Sequence, residues 1–127
     1  MSELKASEIA KIGMAFERMR IEAASRNIAN INVLSTSPVD VQPLFTATLM
    51  QSQGTAQYAQ LETTSQVKQI YQPNNPLADK NGNVYATDIN LASEMLNLSS
   101  AKRAYEANVK VYNSYKQMAS KALEIGK

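Results

Sequence analysis

Apolar and polar residues divide the chain into three stretches, two with a helical period and one between them without it. From about Lys5 to Ile31, the residues Ile9, Ile12, Phe16, Met19 and Ala23 step by three and four along one side, as a helix burying one face requires. Met14, Ile21 and Ile28 form a second row. At about 100° per residue the two rows span an apolar arc of roughly 200°, interrupted by Glu17 and Arg20. Glu8, Lys11, Arg18, Glu22 and Arg26 take the opposite face, where Arg18, Glu22 and Arg26 are spaced to pair across single turns.

A second helix is predicted from Asn90, a good N-cap residue with Glu94 in the first turns, to about Ile125, where Gly126 ends it. It covers roughly 36 residues, or about 54 Å of helical rise. Leu91, Leu98, Tyr105, Tyr112 and Ala119 recur at heptad spacing along one seam, and Ala104, Val111, Met118 and Ile125 along another. Arg103, Glu106, Lys110, Lys121 and Glu124 face away. Helices this long without interior breakers point to coiled-coil packing. Two helices packed only on each other need a stripe of about 100° each, and these offer roughly twice that. The surplus is expected to meet other subunits, with cover by a third element of the same chain as the alternative.

The middle differs in kind. Val33 to Pro43, with Ser35, Thr36, Ser37, Pro38 and Pro43, reads as an extended loop. Gln51 to Gln66 is rich in Gln, Thr, Ser and Ala and poor in large apolar groups, which predicts a segment without regular structure that is mobile in the free chain. Val67 to Tyr71 and Val84 to Tyr85 are short β-prone runs, and Asn81-Gly82 offers the positive-φ residues of a tight hairpin turn. Pro73 and Pro76 fix a bend before it. The expected fold is therefore mainly α: long N- and C-terminal helices packed as a coiled coil, with an irregular middle segment containing a short β-hairpin. One structural domain is expected, in three parts: 1–32, 33–89 and 90–127.

Composition narrows the chemistry. The 127 residues include no Cys, His or Trp, which removes disulfides, thiolate and imidazole metal sites, and every triad built on a histidine base or cysteine nucleophile. Thirteen basic and 11 acidic residues leave a formal charge of +2, too balanced to draw the chain onto nucleic acid or acidic lipid by field strength. Met1 to Arg20 is studded with charges and holds no apolar core of a secretory signal, and no stretch is long and apolar enough to span a membrane. Taken alone, these features predict a soluble, cytoplasmic protein that is not an enzyme, with no cofactor, no metal and no small-molecule substrate.

Site-like patterns fail on spacing. A calcium loop starting at Asp79 needs Gly and Glu where Val84 and Asn90 stand. The sequon Asn97-Leu98-Ser99 lies inside the predicted second helix. Glu94, Glu106 and Glu124 are expected as solvated helix charges, since nothing sets two of them around a pocket. Lys102, Arg103, Lys110, Lys116 and Lys121 with Tyr105, Tyr112 and Tyr115 could form a nucleic-acid surface, but the tyrosines fall on the apolar side while Arg103, Lys110 and Lys121 point elsewhere.

Three segments carry a resemblance to a known family. Ala24 to Asn32, reading Ala-Ser-Arg-Asn-Ile-Ala-Asn-Ile-Asn, is similar to the A-x-N-I-A-N-x-N motif shared by flagellar rod and hook axial proteins. Tyr71 to Val84 resembles the tyrosine, proline, N-P-x-A-D and N-G-x-V pattern of the FlgC family of bacterial flagellar basal-body rod proteins. Asn90 through Glu94-Met95, then Ser100 to Asn108, resembles that family's E-M and S-A-x-R-x-Y-x-A-N helix. The first motif identifies only the axial superfamily; the stretch from Tyr71 to Asn108 singles out FlgC. Val33 to Pro38 and residues 46–66 depart from the pattern, and Phe45 stands where the family often has a tyrosine.

The resemblance implies a structural subunit of the proximal rod, exported by the flagellar type III apparatus without a cleaved signal and assembled helically with copies of itself and other rod proteins. It replaces the cytoplasmic expectation with a place in the basal body, in the periplasmic rod. Expected subunit contacts are Ile9, Ile12, Phe16, Met19 and Ala23 on the first helix. On the second they are Leu91, Met95, Leu98, Tyr105, Val111, Tyr112, Met118 and Leu123. Asn27, Asn30 and Asn108 are expected to hydrogen-bond where helix meets loop or neighbour. Tyr71, Pro73, Pro76, Asp79, Asn81 and Gly82 are expected to pack the turn outward with residues 33–70. The competing readings are another flagellar axial rod subunit, and a soluble helical adaptor or nucleic-acid-binding protein.

Overall fold

In the computed structural model, which describes residues 2–54 and 57–126, the two long helices are present and the middle of the chain is β-structured. Helix α1 runs Ser2–Ala29 and helix α2 runs Leu91–Ile125. Neither contains proline, and Gly13 is the sole glycine inside either. The Asn90 side chain accepts from the Ser93 N–H, and the Gly126 N–H donates back to the carbonyl of Ala122, so α2 is closed at both ends as its sequence predicts.

The helices lie side by side and antiparallel: Gly13 abuts Asn108, Lys11 lies over Tyr112, and Ala24 shares a cleft with Asn97. At this register the last turn of α2 projects past the start of α1.

Strands β1, Leu44–Gln51, and β2, Gln57–Thr64, form an antiparallel ladder in which Phe45 pairs with Thr63, Ala47 with Leu61 and Leu49 with Ala59. Gly54, at φ 113°, sits in the connection. This corrects the expectation of an irregular segment over residues 51–66. The inward positions Phe45, Ala47, Ala59 and Leu61 alternate as a strand pair demands, but two are alanines and the outward ones are Thr and Gln, so the apolar signal is faint. The hairpin packs on α1, which touches both strands.

Strands β3, Val67–Tyr71, and β4, Asn83–Thr87, form the second ladder, from Val67 opposite Thr87 to Tyr71 opposite Asn83. The connection is not the expected two-residue turn. It spans residues 72–82, and of Asn81 and Gly82 only Gly82 has a positive φ, at 84°. On its other edge β4 exchanges both backbone hydrogen bonds between Tyr85 and Ser35, at 2.9 and 2.8 Å. Held from both sides, β4 carries the fully buried Val84, Ala86 and Thr87. The loop from Val33 to Pro43 is irregular as expected, apart from that bridge and one 3-10 turn at Pro38–Asp40.

Candidate assembly surface

The face by which α1 meets α2 is not the row of large apolar residues. Buried positions of α1 fall at Ala10, Glu17, Ala24 and Asn27, with Gly13 on the same line against Asn108, and on α2 the buried position is Ala101. These residues are small or polar. A Cβ on Gly13 would stand 2.9 Å from Asn108 Nδ2, which is too close, so the glycine sets how near the helices come. Close approach needs short side chains on both partners, and the chain supplies them along this line. The charged member, Glu17, accepts from Arg20 Nη1 at 2.7 Å, and no buried side-chain nitrogen or oxygen among the described residues lacks a partner.

Small or polar residues fill the most buried positions of the seam, and the two helices place their larger apolar side chains differently. On α1, Phe16 and Ala23 line a cleft of about 170 Å³ with Leu44, Phe45 and Ala47 of β1, and Ile12 and Met19 line another with Tyr58 and Ala59 of β2. Four of the five α1 residues expected at subunit contacts, Ile12, Phe16, Met19 and Ala23, are thus at least half-buried, against the chain's own hairpin; Ile9 alone is exposed. On α2 several of the expected contact residues stay open: Met95 is 57%, Met118 54% and Leu123 72% accessible, and Leu91 and Val111 are also exposed. Leu98, Tyr105, Asn108 and Tyr112 are half-buried toward the seam side.

Asn27 is 1% accessible and fixes the hairpin to the helix: its Oδ1 accepts from the Phe45 N–H at 2.8 Å and its Nδ2 donates to the Phe45 carbonyl at 2.9 Å. The Arg26 guanidinium covers the Phe45 ring, 5.1 Å from its centroid. Asn30, half-buried, closes α1 through its backbone N–H. These asparagines were expected to bond where helix meets loop or neighbour, and the partner of Asn27 is a strand of its own chain.

The 72–82 connection is organised by Asp79. Its Oδ1 accepts from the N–H groups of Asn81 and Asn83, both at 2.9 Å, and its Oδ2 from the Tyr85 hydroxyl at 2.9 Å. The Asn83 N–H and the other donors hold the Asp79 carboxyl below its ordinary value, and the same carboxylate pushes the Tyr85 phenol up. Tyr71 and Pro73 close over Gly82, where a Cβ would stand 3.0 Å from the tyrosine ring; Tyr71 and Pro76 remain exposed, as does Asn81. Sequence reading singled out Asp79, Asn81 and Gly82 but missed Tyr85, and it missed Ala10, Gly13, Ala24 and Ala101 because small residues carry no hydrophobic signal.

Of the tyrosines of α2, Tyr112 lies between Lys11 and Lys116, each ammonium 5.6 Å from the ring centroid. Among the described residues, no cluster of three or more acidic groups is placed to hold a metal ion, and no helix is long and apolar enough to cross a membrane.

The two helices form an antiparallel hairpin, and the longer one keeps several large apolar side chains exposed. Comparison with known proteins gives this architecture a name. A family profile described as flagellar basal body rod FlgEFG protein C-terminal matches residues 80–125, which take in β4 and the whole of α2. The flagellar basal-body rod protein FlgC of Salmonella typhimurium is 33% identical over 135 aligned positions that cover 99% of each chain. FlgC proteins of Escherichia coli O157:H7 and of Buchnera aphidicola from Schizaphis graminum are each 32% identical, with the same coverage. The chain belongs to the FlgC family of flagellar basal-body rod proteins.

Proposed function

We propose that this protein is a non-catalytic subunit of the proximal rod, synthesised in the cytoplasm, exported by the flagellar type III apparatus and assembled helically in the periplasm with copies of itself and other rod proteins. The observation that carries this reading is the large apolar side chains that α2 leaves open after the two helices have joined, Leu91, Met95 and Leu123 on one side and Val111 and Met118 on another. In the assembled rod these side chains, with Ile9, pack against neighbouring helices in coiled-coil fashion, while the two β-hairpins lie outward between subunits. Burying one large apolar side chain is worth about 1.5–3 kcal/mol, so a few such residues per subunit suffice to drive association. Contacts that repeat without closing on themselves yield a filament, which a shaft requires. The absence of cysteine fits threading through an export channel, because no disulfide obstructs it.

Hydrogen exchange on the free subunit and on isolated basal bodies tests the proposal. Assembly is expected to slow exchange most along residues 91–125. Absence of the protein from basal bodies, with unimpaired motility when its gene is deleted, would move the reading to a soluble helical adaptor.

A further inference from the structure

Asn81 precedes Gly82, the pairing most prone to spontaneous cyclisation, because glycine puts no side chain in the way of its own backbone nitrogen. The fold demands this glycine: its φ is 84°, and a Cβ would stand 3.0 Å from the Tyr71 ring and 3.1 Å from Pro73. Asn81 is exposed. By composition and exposure the dipeptide is a deamidation site, yet the surrounding hydrogen bonds oppose the reaction.

The chemistry has definite requirements. The Gly82 amide must lose its proton and attack the Asn81 side-chain carbonyl carbon. The new C–N bond closes a five-membered succinimide, and the C–N bond to the carboxamide nitrogen breaks, releasing ammonia. Water then opens the ring to aspartate or isoaspartate. In the folded loop the Gly82 N–H donates to the Asp79 carbonyl at 3.0 Å and the residue is buried, so the proton that must leave is sheltered. The Asp79 carboxylate takes the N–H groups on either side, Asn81 and Asn83, at 2.9 Å, which resists the backbone rotation the attack needs. The Gly82 carbonyl is held by the Gln72 N–H at 2.9 Å, which anchors the peptide that follows. A carboxylate beside a developing amide anion adds like-charge repulsion.

We infer that Asn81 is a conformation-gated modification site, in which the Asp79-centred loop keeps Asn81-Gly82 from cyclising while folded and releases it to deamidate whenever the β3–β4 connection opens. The product matters structurally, since isoaspartate inserts a methylene into the backbone just before Gly82, the residue that leads into β4 at Asn83. A chain that dwells unfolded would carry a permanent defect in the strand that holds Val84 and Ala86 in the core.

The test incubates the full chain in mildly alkaline buffer, native and in urea, and follows the Asn81 peptide by mass spectrometry with isoaspartate detection. Native conversion is expected to be at least about tenfold slower than in urea, the scale set by even modest local protection. Equal rates would overturn the proposal. Asp79→Ala, checked for retained helix content, is expected to bring native conversion toward the unfolded rate; a folded variant that converts at the native wild-type rate would remove Asp79 from the gate. Should that variant fail to fold, Tyr85→Phe, which deletes only the hydroxyl bond to Asp79, is expected to give an intermediate rate, and no change would count against the gate. Asn113-Ser114, inside α2, serves as the internal reference.

Discussion

The Asn27 carboxamide treats Phe45 as a β-strand would, taking its N–H at 2.8 Å and giving to its carbonyl at 2.9 Å. Helix α1 thereby supplies the edge partner that β1 lacks at its first residues. Both Phe45 groups and both Asn27 groups are satisfied by one contact, and the amide is almost wholly out of water. Asn27→Ala leaves a backbone donor and acceptor unpaired and is expected to cost about 2–4 kcal/mol. Asn27→Asp is expected to cost at least as much, because a carboxylate oxygen then faces the Phe45 carbonyl. Urea unfolding checks the order, and an Asn27→Ala loss below about 0.5 kcal/mol, the range of ordinary surface changes, would show that the contact does not hold the hairpin.

Gly13 and Asn108 provide a second test, of the seam itself. Alanine in a helix interior is favoured over glycine by about 0.8–1 kcal/mol, but here the added methyl would meet the Asn108 carboxamide at 2.9–3.1 Å. Gly13→Ala alone is therefore expected to be neutral or destabilising. With Asn108→Ala in place, the same change is expected to stabilise by about 1 kcal/mol. A double-mutant cycle reads the difference, and additivity within about 0.3–0.5 kcal/mol would mean that the two residues do not press on each other.

These two contacts show where sequence reading succeeds and where it stops. The helices were legible because periodicity, the Asn90 cap and Gly126 all agree. The partner of each face was not, since a hydrophobic row says that a face is buried without saying by what. Ile12, Phe16 and Met19 were expected to meet other subunits, and the chain's own β1–β2 hairpin lies beside them. That hairpin escaped notice because Ala47 and Ala59 take inward positions and no Asn-Gly pair marks its turn. The reverse error came at Asn81-Gly82, where a strong turn signal suggested a two-residue hairpin; Asp79, by gathering Asn81, Asn83 and Tyr85, makes a longer connection just as definite. The family pattern was legible in the residues from Tyr71 to Asn108, whereas the geometric reason for Asp79 needed Tyr85 in place.

Asp79 makes the 72–82 connection sensitive to pH in a predictable direction. Its folded-state pKa lies below the ordinary 3.8, so its contribution is complete above that value and is lost as pH falls through the depressed one. Tyr85 is raised above 10.0, so its contribution is present below that value and is lost as pH rises through the raised one. Amide exchange at Asn81 and Asn83, corrected for intrinsic rate, is expected to stay protected between these limits and to lose protection at the acid end. Asp79→Asn is expected to abolish the acid limb. Persistence of that limb in the variant would assign it to another carboxylate.

The row of Val111 and Met118 on α2 separates folding from assembly. Met118 is 54% accessible and Val111 44%, so replacing either by Glu costs the free subunit little, within about 0.5 kcal/mol as for ordinary surface positions. Ala101, at 0%, has no room, and Ala101→Leu is expected to cost about 1–3 kcal/mol by overpacking the seam. If the row meets neighbouring subunits, Val111→Glu and Met118→Glu leave urea unfolding unchanged and yet remove the protein from basal bodies, with loss of motility. A conservative Met118→Leu is expected to retain both, because shape and apolarity persist. Normal incorporation of the two Glu variants would mean that the rod leaves this row in solvent, and the helices would then have to meet their neighbours by the charged face that carries Arg103, Glu106 and Lys110.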